Sequence, residues 1–308
     1  MPELLFAPEF DSAIPYMQRT RSYYLALGYD NPYIWAHYSD VPFTPLKKPL
    51  KASTVALITT AVPYDSSKGD QGPGAPYNAE AKFYEPYAME TGVDPDLRIA
   101  HVGIDRKHAN LSEMACWFPL QAAKQAVANQ RILQLAPRFY GLPTNRSQHH
   151  TLEKDAPRIL EMCQADGVDV AILIPNCPIC HQSISLLARH LEGAGISTII
   201  IGAAKDIVEY CGVPRFVFND FPLGNAAARP QDRQSQHIIF NLALDLLEFA
   251  PGPRTTIQSA LRWSDDPRWK LDYMNTERLT THEIETLRSE AEAARLVAKE
   301  IRQKTVGR

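Results

Sequence analysis

Two cysteines stand three residues apart in Cys177-Pro178-Ile179-Cys180, directly after the apolar run Val168-Asp169-Val170-Ala171-Ile172-Leu173-Ile174. A thiol pair at that spacing can attack an electrophile with one sulfur and close a disulfide with the other. From Ser183 onward, Ile184, Leu187 and Leu191 recur at three- and four-residue steps, and Gly193 and Gly195 supply the stop, so a helix is expected over 183–192. Cys177 then falls at or just before a helix N-terminus, where unpaired amides and the positive end of the helix dipole favour a thiolate and lower its pKa. Pro178 suits a first-turn position, and Asn176, His181 and Gln182 give the motif polar neighbours. The rival readings are an inert pair of core cysteines and a structural zinc. Zinc needs four ligands, yet Cys116, Cys163 and Cys211 stand alone and no second Cys or His pair has suitable spacing, so no metal is expected.

The elements that would position these thiols follow from the hydrophobic pattern. Short β-branched or apolar runs at 54–60, 98–104, 168–174, 198–201 and 216–218 read as strands, and near-continuous apolar strands suit a sheet covered on both faces. Helical periodicity fills 120–134, 152–165 and 183–192, with another amphipathic helix over 231–249. The alternation predicts an α/β fold with a mainly parallel sheet and crossover helices, built as one elaborate domain or as two pseudo-symmetric Rossmann-like halves. The expected organisation is an N-terminal arm over 1–50, rich in Tyr and Pro with few core elements, then a first α/β half over 51–150. A second half over 151–255 carries the thiol motif, and a helical tail over 256–308 follows, its stretch 281–304 pairing Glu with Arg and Lys.

In open sheets of this kind, ligands bind beyond the carboxyl ends of the strands. That rule gathers Thr59 and Thr60 after the first strand, His101 and Asp105 around the end of the second, and Asn176, Cys177 and Cys180 after the third. It adds Gly202 after the fourth strand and Asn219 and Asp220 after the fifth; Asn225 and Cys116, which precedes a helix start marked by Pro119, complete the candidate set. Asp105 and Asp220 also suit helix caps, and a lone His is commonly a hydrogen-bonded structural residue. Arg106, Lys107 and Arg138 are the basic residues available to a carboxylate-bearing substrate. The segment Asp70-Gln71-Gly72-Pro73-Gly74-Ala75-Pro76 looks glycine-rich, but its prolines lack the amide donors of a phosphate cradle, and it reads as a loop or lid over the crevice. His149-His150 is a polar loop pair whose adjacent side chains diverge.

Composition bounds the function. The chain has 308 residues, 45% hydrophobic content, and 32 basic against 35 acidic residues for a formal charge of −3, which leaves no electrostatic footprint for nucleic acid or an anionic membrane. Five cysteines, an odd number, argue against a secreted disulfide framework. The opening Met1-Pro2-Glu3-Leu4-Leu5-Phe6-Ala7 lacks the basic leader of a signal peptide, and the apolar runs are strand length, so a cytoplasmic location without a membrane span is expected.

The thiol motif, with its run-in Asp166-Gly167-Val168-Asp169-Val170 and its continuation Ala188-Arg189 through Gly193-Ala194-Gly195-Ile196-Ser197-Thr198, resembles the selenoprotein B family of glycine, sarcosine, betaine and D-proline reductases. The similarity is greatest to the branch of the D-proline reductase selenocysteine subunit and its cysteine-containing relatives. Further matching pieces are Thr44-Pro45-Leu46-Lys47-Lys48-Pro49-Leu50, Cys116-Trp117-Phe118-Pro119, Leu135-Ala136-Pro137-Arg138 and Pro222-Leu223-Gly224-Asn225, so the resemblance covers roughly residues 44 to 250. By position, it implies that Cys177 is the nucleophile and Cys180 the resolving thiol. Those reductases use selenium at the first position and a separate pyruvoyl-bearing subunit to activate the amine. Sulfur is the weaker nucleophile and leaving group, which shifts the expected substrate toward a more activated bond.

The resulting expectation is a cysteine-dependent enzyme that cleaves an activated carbon–nitrogen or carbon–sulfur bond of a small polar substrate. His181 or His101 would donate a proton to the departing group. A reductive reaction requires an external dithiol or thioredoxin-like protein to reopen the Cys177–Cys180 disulfide; no bound cofactor is identified. Desulfurisation of a thiocarbonyl, with release of sulfide, is the hydrolytic alternative. A racemase-like isomerase would need Cys116 facing Cys177 across a substrate, and a thiol redox carrier would show a flat exposed pair. A subunit of a reductase complex would need a second polypeptide, and the arm and tail suggest a homo-oligomer.

Overall fold

The computed structural model describes residues 12–29, 33–73, 75, 77–99 and 101–306. Segment 1–11 with the opening Met1 to Ala7, Gly74 and Pro76 of the glycine-rich loop, Ala100 of the 98–104 run and the last two residues of the tail lie outside the described residues. The strands are β1 (Thr54–Thr59), β2 (Val62–Pro63), β3 (Tyr87–Glu90), β4 (Leu97–Arg98), β5 (Gln134–Leu135), β6 (Arg138–Gly141), β7 (Val170–Ile174), β8 (Ser197–Gly202), β9 (Arg215–Phe218) and β10 (Thr255–Gln258). Helices α1 (Tyr16–Ala26), α2 (Leu120–Ala128), α3 (Ala156–Ala165), α4 (Pro178–Gly193), α5 (Lys205–Cys211), α6 (Arg233–Phe249) and α7 (Thr281–Val306) surround them.

The α/β expectation holds. One continuous sheet runs β10-β9-β8-β7-β1-β6-β3, with β5 also paired to β1, and its pairings are parallel except β3 with β6. Successive side chains of a strand point to opposite faces, and here both faces are apolar. Val55, Leu57, Val170, Ile172, Ile199, Ile201 and Val217 pack into the core beneath α2 and α6. Their neighbours Ala56, Ile58, Ala171, Leu173, Ile200 and Phe216 pack into the core beneath α3 and α4. A fully buried side chain of this size contributes roughly 2 kcal/mol through removal from water, which is why the β-branched runs at 54–60, 168–174, 198–201 and 216–218 were readable as central strands.

Three expectations are corrected. The run 98–104 is not a sheet strand: only Leu97–Arg98 is extended, and it pairs antiparallel with Val62–Pro63 in a separate two-stranded ribbon. Its apolar residues are satisfied elsewhere, for Ile104 packs against Gly224, and the amide of Asp105 donates to Leu223 O at 3.1 Å. The place beside β1 is taken by β6, with Ile58 opposite Tyr140 and Thr59 opposite Gly141. Helix α2 stops at Ala128 rather than continuing to 134, because Gln130 takes a left-handed φ of 57° and the chain then turns into β5. The arm supplies more core than expected: Ile14, Tyr16 and Trp35 are buried in one cluster with Cys177, Ile179 and Cys180. Aromatic side chains carry large apolar areas without needing any periodicity to reveal them.

Helix α4 is consequently enclosed along most of its length. Leu187, Ala188 and Leu191 face the sheet, Ile179 and Cys180 face the arm, and Leu186 meets Ala36 and Cys211. Among the described residues, no helix is long and apolar enough to cross a membrane.

Candidate active site

Strand β7 ends at Ile174, and Cys177 adopts extended backbone (φ −126°, ψ 172°) as the N-cap of α4, with Pro178 in the first helical position. The sulfur of Cys177 performs the capping, accepting the amide of Cys180 at 3.3 Å. Both cysteines are free thiols, and their Sγ atoms lie 2.7 Å apart. Cys177 is 4% exposed and lines a narrow cleft of about 30 Å³, whereas Cys180 is fully buried behind it. Thr144 Oγ1 approaches Cys180 Sγ at 3.2 Å. His101 completes the group, one donor atom from each of His101, Cys177 and Cys180 falling within 4.8 Å of the others.

Burial pushes the Cys177 thiol well above its usual range, and its hydrogen bond to Cys180 adds to the effect. Burial opposes ionisation of Cys180 as well, but donors from Cys177, His101 and Thr144 overcome it and hold that thiol well below the usual range. Of the two, Cys180 is therefore the thiol more easily ionised. This reverses the expectation that the helix terminus makes Cys177 the thiolate: a single amide at 3.3 Å does not offset complete desolvation, whereas three donors do.

The other candidates divide sharply. Thr60 Oγ1 accepts both the amide and the Nδ2 of Asn176, which ties the end of β1 to the approach to Cys177, and Thr59 Oγ1 accepts the amide of Ala61. His181 is buried with both ring nitrogens engaged: Nδ1 donates to Cys177 O at 2.8 Å, and Nε2 accepts the amides of Ala203 and Ala204 at 3.0 and 3.2 Å. Burial lowers its pKa to about 4, so this imidazole is neutral and has no free proton to give. Gly202 makes room for it, since a Cβ there would lie 2.9 Å from His181 Nε2. Asp105 accepts from His108 Nδ1 at 2.9 Å, Asp220 is paired with Lys270, Asn219 donates to Ala226 O, and Asn225 donates to Asn110 O. Cys116 sits in the opposite core beside Trp117 and Phe118, where burial pushes its thiol up to about 12, and it is not among the residues lining the cleft.

Several cleft residues carried no sequence signal. Thr20 and Tyr24 arrive from α1, Tyr77 and Lys82 from the loop after the glycine-rich segment, and Thr144 and Arg146 from beyond the carboxyl end of β6. Arg146 holds a left-handed φ of 57° and donates to Tyr24 OH at 3.3 Å. The strand-end rule would have found it had 138–141 been recognised as a strand. The basic residues named from sequence are committed elsewhere: Arg138 to Asp166, Lys107 to Asp272, and Arg106 to the carbonyls of Ala75, His101 and Val102. The cleft thus joins the Cys177 sulfur to Arg146 and Lys82, and no carboxylate appears among its described lining residues.

No family model matches the chain, and no solved structure matches it significantly. Among curated proteins, it is 30% identical over 211 residues to the D-proline reductase subunit gamma of Acetoanaerobium sticklandii, an alignment that covers 68% of this chain and 84% of that protein. At that identity and coverage, the chain belongs to the family of the D-proline reductase gamma subunit.

Proposed function

We propose that the protein is the thiol-bearing component of a reductase, and that it cleaves an activated carbon–nitrogen or carbon–sulfur bond in a small carboxylate-bearing substrate related to D-proline. The observation that carries this reading is the asymmetry of the pair: Cys177 faces a cleft lined by Arg146 and Lys82, while Cys180 lies 2.7 Å behind it and is fully buried. Arg146 at the cleft receives the carboxylate. Cys177 Sγ forms a bond to the substrate carbon as the carbon–heteroatom bond breaks, and its proton passes to Cys180. The electron pair of the broken bond leaves on the heteroatom, which is protonated, with His101 the nearest imidazole able to serve.

Cys180 then gives up that proton and attacks Cys177 Sγ, so that the sulfur–sulfur bond forms as the carbon–sulfur bond breaks and the released carbon takes the proton. Two electrons have passed from the dithiol to the substrate, and an external dithiol or thioredoxin-like protein reopens the disulfide. A partner subunit that activates the amine is consistent with the relative being one subunit of a reductase. His181 positions the start of α4 through its bond to Cys177 O.

The test is turnover of D-proline, glycine derivatives and thiocarbonyl heterocycles by wild type, Cys177→Ser and Cys180→Ser, with dithiothreitol and with or without added cell extract. Product matched one for one by dithiol oxidation and lost in both variants is the expected result. Sulfide release without dithiol consumption, or turnover retained in Cys177→Ser, overturns it.

A further inference from the structure

The three groups that carry the proposed thiol chemistry also make a donor set for a cation. The imidazole of His101 and the sulfurs of Cys177 and Cys180 come from two separate segments of chain, and their donor atoms converge within 4.8 Å. Two thiolates and an imidazole are the ligands of a soft or borderline cation. Among the described residues no fourth Cys, His or carboxylate joins them, and Cys177 opens onto the cleft, so the arrangement is a three-ligand site with one position left open. The two histidines near the motif differ in the relevant respect. His181 spends both nitrogens on backbone groups, whereas His101 Nδ1 is buried without a hydrogen-bond partner, so no acceptor on that nitrogen fixes its ring.

We infer that the reduced pair and His101 together bind one thiophilic d10 cation, Zn²⁺ being the probe, and that the oxidised pair does not. Hard cations are disfavoured, because Arg146 and Lys82 line the same cleft and the site offers no carboxylate. Binding converts the pair to two thiolates with release of the protons they hold, which leaves the cation and its sulfurs neutral overall. The sulfurs must separate from 2.7 Å to about 3.7 Å to span a tetrahedral zinc, a change that rotation of the Cys177 side chain at the helix cap can supply. Occupancy withholds both sulfurs from substrate. That regulatory consequence rests on the thiol reading above, whereas the binding does not.

The experiment uses full-length protein reduced with a phosphine, freed of reductant and titrated with Zn²⁺ against a chromogenic chelator. Wild type is expected to hold one equivalent, and Cys177→Ser, Cys180→Ser and His101→Ala each to bind at least tenfold more weakly. Diamide-oxidised wild type, whose sequence is unaltered, loses the equivalent and regains it on reduction, while Cys163→Ala, away from the cleft, retains it. Failure of reduced wild type to bind, or binding unchanged in both serine variants or after oxidation, overturns the inference. Dithiol-dependent turnover in a protein that binds no zinc sinks this inference alone; stoichiometric zinc binding by a protein whose zinc-free reduced form turns over no substrate even with added cell extract sinks the reductase reading alone.

Discussion

The two ends of helix α4 solve the problem of buried charge in opposite ways. At the C-terminal end, Glu192 is fully buried and its carboxylate is saturated: Oε1 accepts from Thr198 N, Thr198 Oγ1 and Arg215 Nη1, and Oε2 accepts from Thr44 N. Arg215, equally buried, donates onward to the carbonyls of Thr44 and Thr198 and lies 4.2 Å from the Phe43 ring centroid. At the N-terminal end, two buried sulfurs lie where donors are few, and polar atoms such as His101 Nδ1, Asn176 Oδ1 and Thr20 Oγ1 are buried without partners. With the Glu192 carboxylate saturated, this cluster locks the arm to the sheet, although Arg215 Nε and His190 Nε2 stay buried without partners. An undersaturated one costs stability and keeps bonding capacity for a substrate.

Breaking the saturated end gives the largest expected effect. Glu192→Ala leaves Arg215 buried and uncompensated and should cost about 3–5 kcal/mol in denaturant unfolding, while the double replacement Glu192→Leu/Arg215→Met recovers most of the loss. A single-variant cost below about 1 kcal/mol would dissolve the contrast between the two ends. At the open end, Arg146→Gly sharpens the comparison, because glycine accepts the left-handed backbone that arginine pays to adopt. Stability should hold steady or rise by up to about 1 kcal/mol, while KM for a carboxylate substrate rises roughly tenfold to a hundredfold, reflecting the lost charged hydrogen bond of about 1.5–3 kcal/mol. A fall in stability with unchanged KM would show that the strain serves the fold rather than the ligand.

A pH dependence is expected at Asp155, which lies beside the Arg146 loop. Its Oδ2 accepts from Asn145 Nδ2 at 3.1 Å, and burial pushes its pKa up to about 7. Because the folded-state pKa lies above the unfolded value, the native state keeps a proton that the unfolded state has released. The contribution of this group is therefore greatest below about pH 4, declines by roughly 1.4 kcal/mol per pH unit as pH rises toward 7, and is flat beyond. Subtracting the pH–stability curve of Asp155→Asn should isolate that slope; parallel curves between pH 4 and 7 would place Asp155 with the ordinary carboxylates.

The same contrast explains what could be read from the sequence. Cys177 and Cys180 were legible because everything that positions them is local: an apolar strand, a proline at the first helical turn and a helical periodicity lie within some 25 residues. Arg146 and Thr144 were not, because β6 is a four-residue strand that opens on Arg138 just after Pro137, too short for a period-two pattern to declare itself. Proximity in sequence misled for the histidines. His181 adjoins the motif, but its hydrogen bonds turn it toward the backbone; His101, some eighty residues away in sequence, reaches the sulfurs from a segment that was expected to be a strand and whose described residues beyond Arg98 are irregular. The run 98–104 shows the limit plainly, since apolar content reports burial and not the partner that provides it. Glu192 and Arg215 read as ordinary surface charges until the arm, whose contacts no local pattern encodes, is laid across them.

The cover over Cys177 is drawn from opposite ends of the chain. Tyr16 of α1 packs edge-on against Tyr273 at 5.2 Å, and Arg19 donates to the carbonyls of Lys270 and Tyr273. The central strands β1, β7, β8 and β9 are all in place by residue 218, so on the ribosome the sheet can assemble before the cover does. Closing a loop of some 250 residues is left for last, after Tyr273 has emerged. A nascent chain therefore carries its two sulfurs in an uncovered state, open to oxidants and metals, for the interval between the two events. Once the cover closes, Cys180 is fully buried and Cys177 is reached only through the cleft.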